Sequence, residues 1–428
     1  MIIAISLIFI IGYAAIALEH PLKINKAASA LVTAALCWSV FTMLSGDSHK
    51  AVEYLTEHLG EVSGILFFLM GAMTIVELID AHDGFYIITS RIKTTNKRKL
   101  VWLIAIITFF LSAVLDNLTT TIVLVSLLRK IIGDKEERLM FTGLVVIAAN
   151  AGGAWSPIGD VTTTMLWIGG QITATSIILQ TILPSLICMI IPTALISWRM
   201  KGNLKRSVKE EEVLSNNFTT SAFERNLVFG LGVGSLLFVP VFKTVTHLPP
   251  YMGILFGLGI MWIITEMIHS ERDEHEKGPL SVNHALRKID TPSVLFFLGI
   301  LLSIGALQAS GILTDVAKMM NEKIGNISAI TMAIGLLSSI VDNVPLVAAT
   351  QGMYSLEQYP TGHYFWEFLA YCAGTGGSAL IIGSAAGVAA MGIEKIEFFW
   401  YIKKMSVLAI VGYFAGAAVF MLQHYLTN

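Results

Sequence analysis

Long apolar runs, separated by short charged stretches, set the organisation of the whole chain. Ten of them, over 1–18, 27–45, 63–82, 139–170, 175–198, 226–246, 251–269, 291–310, 364–392 and 405–425, reach or approach the roughly 20 residues a helix needs to cross a ~30 Å hydrocarbon core. They do not alternate apolar and polar residues, as a membrane-barrel strand does over ~10 positions. Two more apolar segments, 100–132 and 327–350, carry a polar break near the middle. Each is too short for two full crossings at ~20 residues apiece, so the pattern predicts two re-entrant helical hairpins. The expected fold class is an all-α polytopic membrane protein.

The polar breaks come in pairs. Ser112-Ala-Val-Leu-Asp116-Asn117-Leu-Thr119-Thr120-Thr121 recurs 226 residues later as Ser338-Ser-Ile-Val-Asp342-Asn343-Val-Pro345-Leu-Val347. Each copy precedes a glycine-rich interruption, at 150–160 and at 374–384, and Gly152, Gly153 and Gly159 map onto Gly376, Gly377 and Gly383 at a constant offset of 224. Leu66-Phe-Phe-Leu69 recurs as Leu295-Phe-Phe-Leu298, and the starts of runs one to five pair with those of six to ten at offsets of 224 to 230. Five crossings per half is an odd number, so the second half enters the membrane upside down. The expectation is two inverted-topology repeats of five spans plus one re-entrant hairpin each, with broken helices meeting at the midplane. That is the architecture of secondary transporters. The domains are then a first repeat at 1–198, a charged cytoplasmic linker at 199–225 and a second, inverted repeat at 226–428.

Composition agrees. Of 428 residues 55% are hydrophobic and 14% charged, with a mean hydropathy of +0.72, against roughly a quarter charged in soluble domains. The net charge of −2 and the lack of a basic block argue against nucleic-acid binding. Cys37, Cys188 and Cys372 lie in apolar runs at spacings that suggest neither a metal site nor a disulfide. The first run carries Ala15-Ile16-Ala17, which resembles a cleavage site, but lacks the positive start of a signal peptide. We expect it to be a retained span. With ten spans and two hairpins, one face holds Lys50, Lys243, Lys318 and Lys323, and the other receives the remaining 24 of 28 Lys and Arg. The positive-inside rule makes that basic face cytoplasmic and puts both termini outside, periplasmic in a bacterial inner membrane.

Candidate chemistry sits at the breaks. A helix interrupted in lipid leaves backbone groups that only protein or a water-filled cavity can satisfy, and unwound carbonyls are ready cation ligands. Asp116, Asp160 and Asp342 lie deep in apolar sequence with no Lys or Arg beside them in the spans. An intramembrane carboxylate costs several kcal/mol, relieved by a partner, a proton or a bound cation. These three are the candidate metal-ion (Na⁺ or Li⁺) and proton ligands. Asn117, Asn150, Asn343, Thr119, Thr120, Ser156, Thr162 and Thr163 add neutral oxygens of the kind Na⁺ accepts, although a helical hydroxyl also bonds readily to its own preceding turn. Gly152, Gly153, Pro157, Gly159, Pro345, Gly376, Gly377, Ser378 and Gly383 mark the backbone of the breaks. Helix capping is the competing role for the aspartates, above all for Asp342 ahead of Pro345. The halves are chemically unequal, since Asp160 corresponds to Ser384. Glu77, Asp80, Asp83 and Glu266 read as interfacial, and His82 and His363 as solvated histidines that titrate near neutrality.

At these motifs the chain resembles the NhaD-type sodium/proton antiporters of the ion transporter superfamily. The resemblance covers essentially the whole length and rests on the two Asp-Asn segments and on Asn150-Ala-Gly-Gly-Ala-Trp-Ser-Pro-Ile-Gly-Asp160 with Thr162–Thr164. It implies a homodimer with a scaffold part and a mobile transport part that moves elevator fashion. It also implies exchange of Na⁺ or Li⁺ for H⁺, with no cofactor and no enzymatic step. The alternative on the same scaffold is a Na⁺-coupled dicarboxylate or citrate carrier, or an arsenite carrier. Such carriers more often show neutral Ser-Asn-Thr tips, whereas both tips here carry Asp.

Overall fold

The computed structural model describes residues 1–90, 92, 94–204, 220–273 and 277–427. Among these there is no strand, only an isolated bridge between Asn96 and Asn203. The first half runs α1 (Ile2–Ala17), α2 (Lys26–Leu44), α3 (Ser48–Ala81), α4 (Lys97–Leu115), α5 (Asn117–Ile131), α6 (Lys135–Gly153), α7 (Val161–Ile168) and α8 (Ala174–Arg199). The second runs α9 (Ala222–Thr246), α10 (Pro250–Ile268), α11 (Thr291–Ala309), α12 (Ile312–Lys323), α13 (Ile327–Leu337), α14 (Asn343–Met353), α15 (Tyr364–Gly376), α16 (Ala385–Glu394) and α17 (Val407–Thr427). Most of the 199–225 linker lies outside the described residues.

Among the described residues eight helices are long and apolar enough to cross a membrane, which makes this an integral polytopic membrane protein. Several boundaries differ from expectation. α3 has 34 residues rather than 20, because Asp47 caps a polar lead-in by accepting from the Lys50 N–H. A search for apolar runs cannot see that lead-in, whose residues are charged but form helix well. α4, the first arm of the expected hairpin, is itself 19 residues long and counts among the eight. The runs 139–170 and 364–392 are each broken into two helices, α6 and α7, and α15 and α16. α12 fills an expected loop.

Packing is duplicated between the halves. α1 packs on α2 as α9 packs on α10, α2 on α11 as α10 on α3, α4 on α6 as α13 on α15, and α5 on α16 as α14 on α7. The pairs α3–α11, α6–α15 and α8–α17 join counterparts directly. Exchanging the halves therefore maps this list of contacts onto itself. One apolar core centres on α2, α3 and α11, and a second on α4, α5, α6 and α17.

Candidate functional site

The glycines explain why the breaks can approach each other. A Cβ on Gly152 would stand 2.2 Å from the Phe109 carbonyl oxygen, and one on Gly376 1.9 Å from that of Gly335. A Cβ on Gly153 would meet the Gly159 oxygen at 2.5 Å, and one on Gly377 the Gly383 oxygen at 2.7 Å. Gly159 and Gly383 press on Ala113 and Ser339 in the same way. Ser112 and Ser338 tie the same joints together, donating to Ala149 O at 2.6 Å and Ala373 O at 3.2 Å. Each broken helix is thus clamped against the helix that ends in its Asp-Asn break.

The breaks carry their capping residues inward. α4 stops at Leu115 and α5 starts at Asn117, with Asp116 alone between them at φ +81° and ψ 161°, a backbone region used almost solely by glycine. Its carboxylate accepts from the Thr119 N–H and hydroxyl, both at 2.8 Å. Asp160 caps α7 and accepts from the Thr162 N–H and hydroxyl, again at 2.8 Å. Asn117 reaches across and donates both to Asp160 Oδ2 at 2.5 Å and to Asn150 Oδ1 at 3.0 Å. From the second half, Asn343 Nδ2 lies 3.5 Å from both Asp160 oxygens. Asn150 donates to Ser378 and Ser384, each at 2.9 Å. Asp160, Asn117, Asn150, Asn343, Ser378 and Ser384 are all buried, so this is one buried network with Asp160 at its centre.

The other expected residues distribute around it. Asp116 and Asp342 are half-buried and near enough to act electrostatically on Asp160. Asp342 caps α14 by accepting from the Val344 N–H at 3.2 Å, just ahead of buried Pro345. Thr120 has a buried hydroxyl with no partner among the described residues. Thr163 bonds locally to Asp160 O, Ser156 accepts from the Ile158 N–H, and Pro157 O accepts from the Thr164 hydroxyl. Among the described residues no three His, Cys, Asp or Glu side chains gather closely enough to hold a metal ion.

A cavity of about 490 Å³ reaches the start of α5 beside the first Asp-Asn break. Thr119, the partner of Asp116, lines it together with Val123 of α5, Ala385 and Val388 of α16, and Val76, Glu77 and Asp80 of α3. Lys26, Lys288 and Asp290 line it as well, and Lys288 pairs with Glu77 at 3.1 Å. Glu77 and Asp80 are thus cavity walls as well as helix-end charges. Lys243 donates to Trp167 O at 2.8 Å, tying α9 to the last turn of α7. Glu266 pairs with Lys277 at 2.7 Å, and Asp83 takes a left-handed turn at φ +56°. His363 caps α15. His82 is not solvated as expected. It is fully buried against His269, because α3 packs along α10 and brings the two helix ends together. The site residue missed from sequence is Ser384, which binds Asn150 and caps α16 by accepting from the Gly387 N–H. Its offset of 224 from Asp160 was the available signal.

Comparison with known proteins comes after this geometry. Residues 13–366 match the family model CitMHS, described as citrate transporter. "Sodium/proton antiporter 1" of Arabidopsis thaliana is 50% identical over 99% of this chain and 72% of its own length. "Sodium/proton antiporter 2" of the same plant is 48% identical over 98% and 99%. "Na(+)/H(+) antiporter NhaD" of Vibrio parahaemolyticus is 30% identical over 90% and 97%.

Proposed function

The chain belongs to the family that the citrate-transporter model describes and, within it, to the NhaD-type antiporters of the ion transporter superfamily, and from that premise we propose that it exchanges Na⁺ (or Li⁺) for H⁺ across its membrane. The observation that carries the proposal is the Asp160 network, a buried carboxylate that among the described residues accepts from Asn and Thr donors. In a low-dielectric site a carboxylate is neutralised either by a proton or by a cation. Proton and cation therefore compete for Asp160 and Asp116, with Asp342 contributing, and the proton gradient drives Na⁺ out. Asn117, Thr119, Thr120, Asn150 and Thr162 supply neutral oxygens or hold the carboxylates in place. No resident cofactor takes part.

The finer architecture belongs to the same proposal. The two halves, 1–198 and 226–428, are inverted-topology repeats, and the Asp-Asn segments are re-entrant hairpins. What supports this is the exchange of helix pairings between halves and the duplicated glycine contacts. The 24 basic residues mark the cytoplasmic face, and in a bacterial inner membrane both termini are then periplasmic. The cavity, walled by Lys26 and Lys288, opens to that basic face and is the inward-facing route to Asp116. Lipid covers exposed side chains such as Ile10, Val245 and Phe256. A second copy of the chain completes a homodimer in which the part holding the breaks moves elevator fashion.

Citrate transport is the second reading, favoured by the description of the family model alone. Among the described residues the network around Asp160 holds no Lys or Arg to receive a tricarboxylate. The deciding experiment follows a pH gradient in everted vesicles carrying this protein. Antiport requires Na⁺ or Li⁺ to dissipate the gradient while K⁺ and citrate do not. Na⁺-dependent citrate uptake without a cation-driven proton flux would replace antiport by the carrier reading.

A further inference from the structure

A buried pair of histidines lies apart from the aspartate network. His82 follows the last residue of α3 and His269 the last residue of α10. Both are buried, at 0% and 1% exposure, their rings stack at 5.2 Å, and their Nε2 atoms are 2.9 Å apart. Hydrogen-bond bookkeeping assigns the protons. His82 Nδ1 lies 2.7 Å from the Leu78 carbonyl oxygen, an acceptor only, so Nδ1 carries the proton. A neutral His82 then has a bare Nε2, and His269 Nε2 must donate to it. That leaves His269 Nδ1 bare, and it is buried without a partner among the described residues. Both rings are neutral in this arrangement. Among the described residues no third His, Cys, Asp or Glu joins them as a metal ligand.

A second proton has one open position, His269 Nδ1. The charged groups that face the pair are Asp83 after α3, Glu224 at the start of α9, Glu266 near the end of α10, and Arg272 and Lys277 beyond it. Glu224 is already held by Arg272 through contacts of 2.7 and 2.8 Å. An imidazolium at 269 attracts Glu224 and repels Arg272, and so works against that pair. It also sets that residue's capping box with Ser221 at stake, through which α9 begins. Thr220 is tied to the same point, donating to His82 O at 3.1 Å. The effect reaches the transport route because α3, whose end the pair fixes, supplies Val76, Glu77 and Asp80 to the cavity wall.

We infer that the His82–His269 pair is a proton-operated clasp between α3, α10 and the start of α9. It is closed while both rings are neutral and released when His269 takes a second proton. Its consequence for transport rests on the antiport reading, whereas the clasp itself does not. Burial holds both histidines below their usual titration range, helped at His269 by the neighbouring ring and Arg272. A group whose packed-state pKa is depressed stabilises the packed state above its free value, about 6.5 for His. That stabilisation is lost as pH falls from there, by about tenfold per pH unit and proton bound. Acid on the basic face therefore loosens the end of α3.

Hydrogen exchange on the whole protein in lipid nanodiscs tests the clasp without any transport. The reporters are the backbone N–H groups of His82 and His269, which bond to Leu78 O and Thr265 O. Between about pH 7.5 and about pH 5.5, spanning the free value of His, their protection should fall at least about tenfold beyond the intrinsic pH effect. In the non-titrating double variant His82→Gln/His269→Gln it should stay flat. In proteoliposomes the wild-type maximal rate at saturating Na⁺ should fall over the same range while that of the variant holds. Its KM for Na⁺ keeps the pH dependence that competition requires. Flat wild-type protection, or the same fall in the variant, overturns the clasp. The wild-type exchange profile decides alone should the double variant not fold. Absence of any Na⁺/H⁺ exchange defeats the proposed function and leaves the exchange profile to judge the clasp.

Discussion

The two Asp-Asn breaks are copies in sequence and differ in structure. The first is one residue wide, with Asp116 alone between α4 and α5, and holds that residue at φ +81°. The second spans 338–342 and leaves Asp342 at φ −44° and ψ 137°, where any residue sits without strain. The helices around them differ too. α4 and α5 pack on each other, while α13 packs chiefly on α15, and α14 on α11 and α12. The glycine-rich breaks behave oppositely. Asp160 and Ser384 occupy the same backbone conformation, φ −147° with ψ 148° and 154°, yet one is a carboxylate and the other a hydroxyl. Duplication has kept the joints that must close and let the charge concentrate in the first half. A duplicated frame can hold a network whose charge is unequal between the halves.

Substitutions can break that comparison. The largest effect is expected at Asp160. Asp160→Asn keeps the shape but removes the charge for which we propose that proton and cation compete, so antiport should fall by at least about 100-fold, two decades at ~1.4 kcal/mol each. Ser384→Ala, at the matching position, should leave most activity. Equal losses in reconstituted vesicles would show that the halves share the chemistry. Next come Gly152→Ala and Gly376→Ala. Each drives a methyl into a backbone carbonyl that cannot swing away, at about 1–3 kcal/mol or more of overpacking. Thermal unfolding in detergent should show similar losses for both, and a loss at only one would refute equivalent joints.

Smaller effects sharpen the contrast. At Asp116 glycine relieves about 1–3 kcal/mol of backbone strain while forfeiting a cap of ~1 kcal/mol. Asp116→Gly should therefore leave the protein as stable as before, or more so, though without antiport. Asp342→Gly forfeits its cap with no strain to relieve and should lower the unfolding temperature. The reverse order would mean that the φ of Asp116 carries no strain. The smallest change is the stability cost of Ser384→Ala, about 1 kcal/mol for the α16 cap, measured by the same unfolding experiment.

Much of this was legible before any coordinate. Apolar run length alone identifies a polytopic membrane protein, because lipid sets how many apolar residues a crossing needs. The paired offsets single out Gly152 with Gly376 and Gly159 with Gly383, since a backbone joint without room for a Cβ leaves glycine as its mark. The residue types of the candidate site, Asp116, Asn117, Asn150, Asp160 and Asn343, follow from polarity stranded in apolar sequence. What the chain could not declare is which of them touch. That Asn117 bonds to Asp160 and Asn150, and Asn150 to Ser378 and Ser384 across the halves, depends on helix ends brought together from positions up to 234 residues apart. The burial of His82 against His269 and the polar lead-in of α3 were hidden for the same reason. Local pattern reports what each segment needs from its surroundings, and only the packed structure decides which neighbour supplies it.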